Sequence, residues 1–126
     1  MCLRLYWCRF RFDHKWPVYL VHPDLMALTG DPLNFAATHG LKNWSPDIKR
    51  EIWVNAYHSK YIQDRSLLHE LGHVALDGIK QRRKTEELFV ATLEGPLFSL
   101  LTRHCRLRMP RRPRGTADLM RRSRNV

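Results

Sequence analysis

Two histidines four residues apart, with a glutamate beside the first, are the residues of this chain best suited to chemistry: His69-Glu70-Leu71-Gly72-His73. Four residues advance a helix by about 400°, so both imidazoles leave from nearly the same side, one turn apart. Two nitrogens so placed can meet one tetrahedral metal ion at about 2 Å. Glu70 lies on the same rim, where its carboxylate can face a metal-bound water instead of the metal. Zinc lowers the pKa of such a water towards 7; the glutamate takes the proton and later delivers it to a leaving amine. Gly72 leaves the helix surface uncluttered beside the metal. Chance would produce this pattern in roughly 1–2% of shuffled sequences of this composition, so its helical context, and not its rarity alone, carries the reading.

A catalytic zinc needs a third protein ligand and an open fourth position. Asp77, Glu86, Glu87 and Glu94 are the near candidates. A straight helix carries Asp77 a full turn past the metal, which suits it to orienting a histidine or to preceding a helix stop at Gly78. A glutamate in the first turns of a second, antiparallel helix could reach the metal, with Glu86 and Glu87 slightly early and Glu94 slightly late. Tyr57, His58 and Tyr61 precede the motif and are candidates for a proton donor to a developing oxyanion. His14, His22, His39 and His104 have no metal-ligand spacing.

The elements that must position these groups follow from the hydrophobic period. Residues 3–12 alternate imperfectly and are rich in aromatics, as a half-buried strand would be. Val18–Val21 reads as a second short strand, joined to the first by a hairpin through Asp13–Trp16. Residues 22–47, punctuated by Pro23, Gly30, Pro32, Gly40 and Pro46, read as loops with one helical turn around Asp24–Leu28. Glu51–Asn55 alternates again as a third strand. From Tyr61 to Leu76 the period becomes helical, with apolar Ile62, Leu67, Leu68, Leu71, Val74 and Ala75 and Asp64 as a candidate N-cap. A polar connector, Lys80–Lys84, leads to a second helix from Thr85 to about Thr102. Thr85 suits its N-cap, Phe89, Val90, Leu93, Leu97, Leu100 and Leu101 form its apolar stripe, and a kink is expected at Gly95-Pro96. Trp7, Trp16, Trp44 and Trp53 fit packing roles. The fold expected is α+β, a small antiparallel or mixed sheet of about three strands packed on two helices.

Charge divides the chain. It carries 22 Lys+Arg against 12 Asp+Glu in 126 residues, a single domain's length. Nine arginines and one acid, Asp118, lie from Arg103 onward. Residues 1–102 therefore form a nearly neutral domain, and 103–126 a basic tail whose composition, with Pro110, Pro113 and Gly115, predicts disorder. Such a tail would bind nucleic acid weakly and without sequence preference, through counterion release. No apolar run approaches the ~18 residues of a membrane span, and Arg4, Arg9 and Arg11 interrupt any signal-peptide pattern. Three cysteines without a C-x-x-C pair make no disulfide framework, and Cys2 and Cys8 on one strand would stand roughly 20 Å apart. Cys8 with Cys105 stays open. A reduced, cytosolic setting is expected.

The stretch Ser66-Leu67-Leu68-His69-Glu70-Leu71-Gly72-His73-Val74-Ala75-Leu76-Asp77-Gly78 resembles the active-site helix of the zincin metallopeptidases. Together with Glu86-Glu87-Leu88-Phe89-Val90 and the helix that follows, residues Glu51–Leu101 are similar to short phage- and prophage-type zincins. In general plan they are similar to the ImmA/IrrE group. Residues 1–50 and the arginine tail lie outside the resemblance. It implies a minimal zincin-like domain with Glu51–Asn55 as the edge strand before the active-site helix. It implies zinc held by His69, His73 and a glutamate opening the next helix, Glu87, with Glu86 the neighbouring alternative, and Glu70 as general base. The implied activity is hydrolysis of a protein or peptide substrate in the cytoplasm of a bacterium or phage-infected host. The substrate would lie antiparallel along the Glu51–Asn55 edge. The charge distribution supports a rival reading, a non-catalytic basic nucleic-acid-binding accessory protein of phage or bacterial origin.

Overall fold

The alternation of residues 3–12 slips once, and the slip has a structural cause. The computed structural model describes residues 2–12, 14–42, 49–77, 83–104 and 108–121. Strand β1 (Arg4–Arg11) pairs antiparallel with β2 (Lys15–Val21), and one extra residue, Trp7, is inserted in β1 between Tyr6 and Cys8. A bulge of this kind shifts the pleat by one residue. Leu5 before it, Trp7 at it, and Cys8 and Phe10 after it consequently all pack on the core. Pro17 precedes the part of β2 that pairs with β4, which begins at Val18, so its missing N–H leaves that ladder intact.

Strand β3 (Ala36–His39) and β4 (Glu51–Asn55) complete a mixed sheet in the order β1-β2-β4-β3, with β4 parallel to β2 and antiparallel to β3. The fold is α+β as expected, with four strands instead of three. Glu51–Asn55 is therefore not the edge: β3 covers it. Its interior place is visible in its burial, since Ile52, Val54 and Asn55 are inaccessible. Asn55 tolerates this because its side-chain amide donates to Pro32 O and Asn34 O, both at 2.8 Å.

Between β2 and β3 the chain makes α1 (Pro23–Met26), with His22 Nδ1 accepting from Asp24 N, then a 3₁₀ turn, Ala27–Thr29. The long helix α2 (Lys60–Ala75) starts at Ser59, whose hydroxyl accepts from Ile62 N. Asp64, the expected N-cap, lies in its second turn. Leu67 and Val74 of α2 pack with Val18, Leu20, Ile52 and Val54 of the sheet in one apolar cluster. Each such side chain, fully buried, stabilises by about 1.5–3 kcal/mol.

Helix α3 (Arg83–Thr92) continues through a π-helical turn, Leu93–Leu97, into α4 (Phe98–His104). Thr85 is inside α3 and does not cap it; Gly78 and Lys80–Arg82 lie outside the described residues. The break expected at Gly95-Pro96 is this π turn, where Pro96 has no N–H to give. The wider turn shifts the helical phase. Val90 and Phe98 are buried, whereas Phe89, Leu97 and Leu100 of the expected stripe face solvent.

The tail departs most from expectation. Residues 108–121 lie on the domain and end in α5 (Thr116–Arg121), whose Leu119 is wholly buried in the main core beside Met109 and Met120. Trp7 Nε1 donates to Arg111 O at 3.0 Å and Pro110 O at 3.3 Å. Arg112 spreads over the Trp7 ring, 4.1 Å from its centroid, and donates to Asp64 Oδ1 and Gln63 Oε1, both at 2.7 Å. These donors and one leucine overrule the disorder that the composition suggests. Trp16 is buried and Trp53 half-buried in the sheet, as packing residues; Trp44 and Cys105 lie outside the described residues.

Candidate metal centre

Helical spacing on α2 places His69 and His73 with their Nε2 atoms 3.1 Å apart. Glu87, one turn into α3, faces both: Oε1 lies 3.3 Å from His73 Nε2 and Oε2 lies 3.5 Å from His69 Nε2. The ligand-type atoms of these three residues all fall within 4.8 Å of one another. A tetrahedral ion with bonds of 2.0–2.1 Å has ligand-to-ligand edges of about 3.3 Å, close to the Nε2–Nε2 separation, and two imidazoles with a carboxylate are a donor set that suits a divalent metal ion.

The two other candidate glutamates stand behind the histidines. Glu86 Oε2 is 2.7 Å from His73 Nδ1, and both side chains are almost wholly buried. A carboxylate only accepts, so this bond puts the imidazole proton on Nδ1 and leaves the Nε2 lone pair for a cation. Glu94, in the π turn, has Oε2 3.4 Å from His69 Nδ1, an ion-pair distance that sets a negative charge behind the other ring. Neither Glu86 nor Glu94 joins the triangle. Asp77 is farther off: its Oδ1 accepts from Lys42 N at 2.9 Å and fastens the end of α2 to the segment after β3.

Gly72 brings α3 close enough for this. It is not an uncluttered rim, as its place in the motif suggests; it faces Val90, and a Cβ there would lie 3.1 and 3.3 Å from the two Val90 methyls and 3.4 Å from Leu93 Cδ1. A bare helix surface at residue 72 lets the helix that carries Glu86 and Glu87 approach its partner.

Glu70 is buried beside the triangle and accepts from Thr38 Oγ1 of β3 at 2.6 Å. Burial pushes its carboxyl above the ordinary range, opposed by the Thr38 hydrogen bond and by the nearby imidazoles of His69 and His73. Thr38 was not legible as a site residue, since nothing in Ala36-Ala37-Thr38-His39 signals a strand crossing the motif. Two clefts of about 370 and 330 Å³ open beside these groups, and Asn34, Ala36, His69 and Glu70 line both. Phe35, Ser66 and Glu94 complete the first; Thr38 and Glu87 belong to the second.

The tyrosines and histidine considered as proton donors line neither cleft. Tyr61 packs on Phe98, and Tyr57 on His58. His58 Nε2 meets Leu33 O at 2.9 Å, and its ring packs edge-on to Phe35, so it holds the loop before β3. Among the described residues no helix is long and apolar enough to cross a membrane.

Against known families, the model of the IrrE N-terminal-like domain, Peptidase M78, matches residues 26–93, just over half of the chain. That span runs from α1 to the start of the π turn and takes in β3, the histidine pair, Glu86 and Glu87, and ends one residue short of Glu94. No curated protein and no solved structure matches the chain.

Proposed function

Given that the chain belongs to the IrrE N-terminal-like domain family of peptidases, Peptidase M78, we propose that it is a zinc-dependent peptidase using His69, His73 and Glu87 as ligands and Glu70 as general base. The observation that supports this most is the convergence of those three side chains on one point beside a buried carboxylate and two open clefts. When bound, zinc supplies a Lewis acid that polarises the scissile carbonyl and acidifies water. The chain supplies the rest. Glu86 fixes the His73 tautomer, and the Glu94 carboxylate faces His69 Nδ1. Glu70 accepts the proton of the attacking water on a carboxylate oxygen and returns it to the leaving amine nitrogen. Thr38 holds Glu70 Oε2 from the opposite wall.

The substrate lies along β3, the outer strand of the sheet among the described residues and the one beside the motif, instead of along Glu51–Asn55. An extended peptide pairing with Ala36–His39 would pass between the two clefts, backbone on the strand and alternate side chains in the cavities. Metal analysis of wild type and Glu70→Gln, with a proteome-wide search for new peptide termini, tests the proposal. Both proteins should carry about one zinc per chain, and only wild type should generate fragments. Hydrolysis retained by purified Glu70→Gln, or the absence of zinc from wild type, rejects it.

A further inference from the structure

The sheet has a second face, turned away from α2, and its chemistry differs from that of the core. On β1, Arg4, Tyr6, Arg9 and Arg11 alternate with the core-facing residues, and Arg9 and Arg11 are exposed. On β2, Lys15 and Tyr19 face the same way. Tyr6 stands opposite Tyr19, and Tyr19 opposite Trp53, so three rings form a row across three adjacent strands. The tyrosines meet edge to face with centroids 6.0 Å apart, and His39 continues the row against Trp53 at 4.4 Å. Arg4 lies over the Tyr19 ring, 4.2 Å from its centroid, and pairs with Glu51 at 3.1 Å.

The charges beside this row have one sign. Glu51 is the only carboxylate among the described strand residues of this face, and Arg4 neutralises it. Arg9, Arg11 and Lys15 are surplus. Arg9 and Arg11 are two residues apart on one strand, hence about 7 Å from each other, and Lys15 is directly across from Arg11. Tyr6 is 51% exposed, a large ring held upright at the cationic margin. That exposure leaves a flat aromatic surface on the same face as three cations.

We propose that this outer face binds single-stranded nucleic acid, with a base stacking on Tyr6, which the rings behind it brace, and phosphates on Arg9, Arg11 and Lys15. The charge fixes the partner as a polyanion, and the rings fix it as one with flat faces to offer. A duplex hides its base faces and would meet only the cations, whereas an unpaired strand uses both. The site is separate from the metal centre, which lies on the α2 side of the sheet, and does not depend on the chain being a peptidase. It is also separate from the sequence-based expectation that the 103–126 tail binds polyanions.

The test is the affinity of the full chain for a labelled oligothymidylate and for a duplex of equal length, at two salt concentrations. Wild type should prefer the single strand. Tyr6→Ala should weaken that complex by about 5- to 100-fold, the range given by removing one stacking ring, and leave duplex binding unchanged. Tyr6→Phe, which keeps the ring, should bind as wild type does and so controls for folding. Arg9→Gln with Arg11→Gln should weaken both complexes and flatten the salt dependence. Equal affinity for single strand and duplex overturns the proposal, as does single-strand binding unaltered by Tyr6→Ala. Binding abolished by glutamine at Arg108, Arg111 and Arg114 but indifferent to Tyr6→Ala places the contact on the tail and overturns it too.

Discussion

Adding one methyl group at Gly72 separates the packing of α2 against α3 from the metal chemistry that this packing serves. The new Cβ would stand 3.1 and 3.3 Å from the Val90 methyls and 3.4 Å from Leu93, where carbon atoms prefer about 3.5–4.0 Å. Val90 is fully buried and has nowhere to turn, so α3 must retreat by a few tenths of an ångström. Overpacking of this kind costs about 1–3 kcal/mol. Alanine returns about 1 kcal/mol through its better helix propensity. Net stability of Gly72→Ala should therefore fall by no more than about 2 kcal/mol, and the chain should stay folded. Metal affinity should fall more steeply. The retreating helix carries both Glu86, which fixes the His73 tautomer, and Glu87, which faces the two Nε2 atoms. Disturbing a partner of a metal-bound histidine typically costs 10- to 100-fold, so a loss of at least ~10-fold is expected. Competition against a chromophoric chelator measures it. Val90→Ala in the same chain removes the opposing methyls and should restore most of the affinity, a coupling that a double-mutant cycle reads directly. Zinc affinity of Gly72→Ala within about twofold of wild type would refute the role assigned to this contact.

Further perturbations address other parts of the structure. Glu87→Ala should reduce zinc affinity most, Glu86→Ala by about 10- to 100-fold, and Glu94→Ala least, since its contact with His69 is longer and more exposed than that of Glu86 with His73; chelator titration of the three gives the order. Removing residues 108–121 should lower the thermal midpoint sharply, because burial of Leu119 alone contributes about 1.5–3 kcal/mol and Asp64 loses Arg112. An unchanged melting curve would contradict the packing of the tail. Cys8 should resist alkylation at pH 8 while exposed Cys2 reacts, as peptide mapping by mass spectrometry can show. Burial raises the Cys8 thiol to about 11, with Arg112 opposing, so only about one molecule in a thousand is thiolate at that pH.

The histidine pair was readable from sequence because its geometry is local: four residues on a helix fix it wherever that helix lies. The third ligand is not local. Its identity depends on how α3 leaves the connector and on how near Gly72 lets it come, and neither depends on spacing alone. Glu86, Glu87 and Glu94 are all near the site, but helical phase and the π turn give one the Nε2 side and the other two the Nδ1 side. Strand β3 escaped because Ala36-Ala37 has little strand propensity and Thr38 makes only a four-residue element. Pairing with β4 makes it a strand, and that in turn displaced the expected substrate edge. The tail escaped because arginine and proline usually signal solvated chain. Here one guanidinium finds a carboxylate, an amide and an indole face at once.

That triple anchorage has a consequence for synthesis. Trp7 leaves the ribosome about a hundred residues before its hydrogen-bond acceptors at Pro110 and Arg111. Contacts so distant in sequence close late and slowly. A nascent chain translated at about 5–20 residues per second would expose the bulged edge of β1 and the start of α2 for several seconds before residues 110–119 arrive to cover them. Chaperone capture during translation, and aggregation of chains stopped early, should therefore concentrate on Leu5 and Trp7, the apolar residues of that strand which the late segment meets.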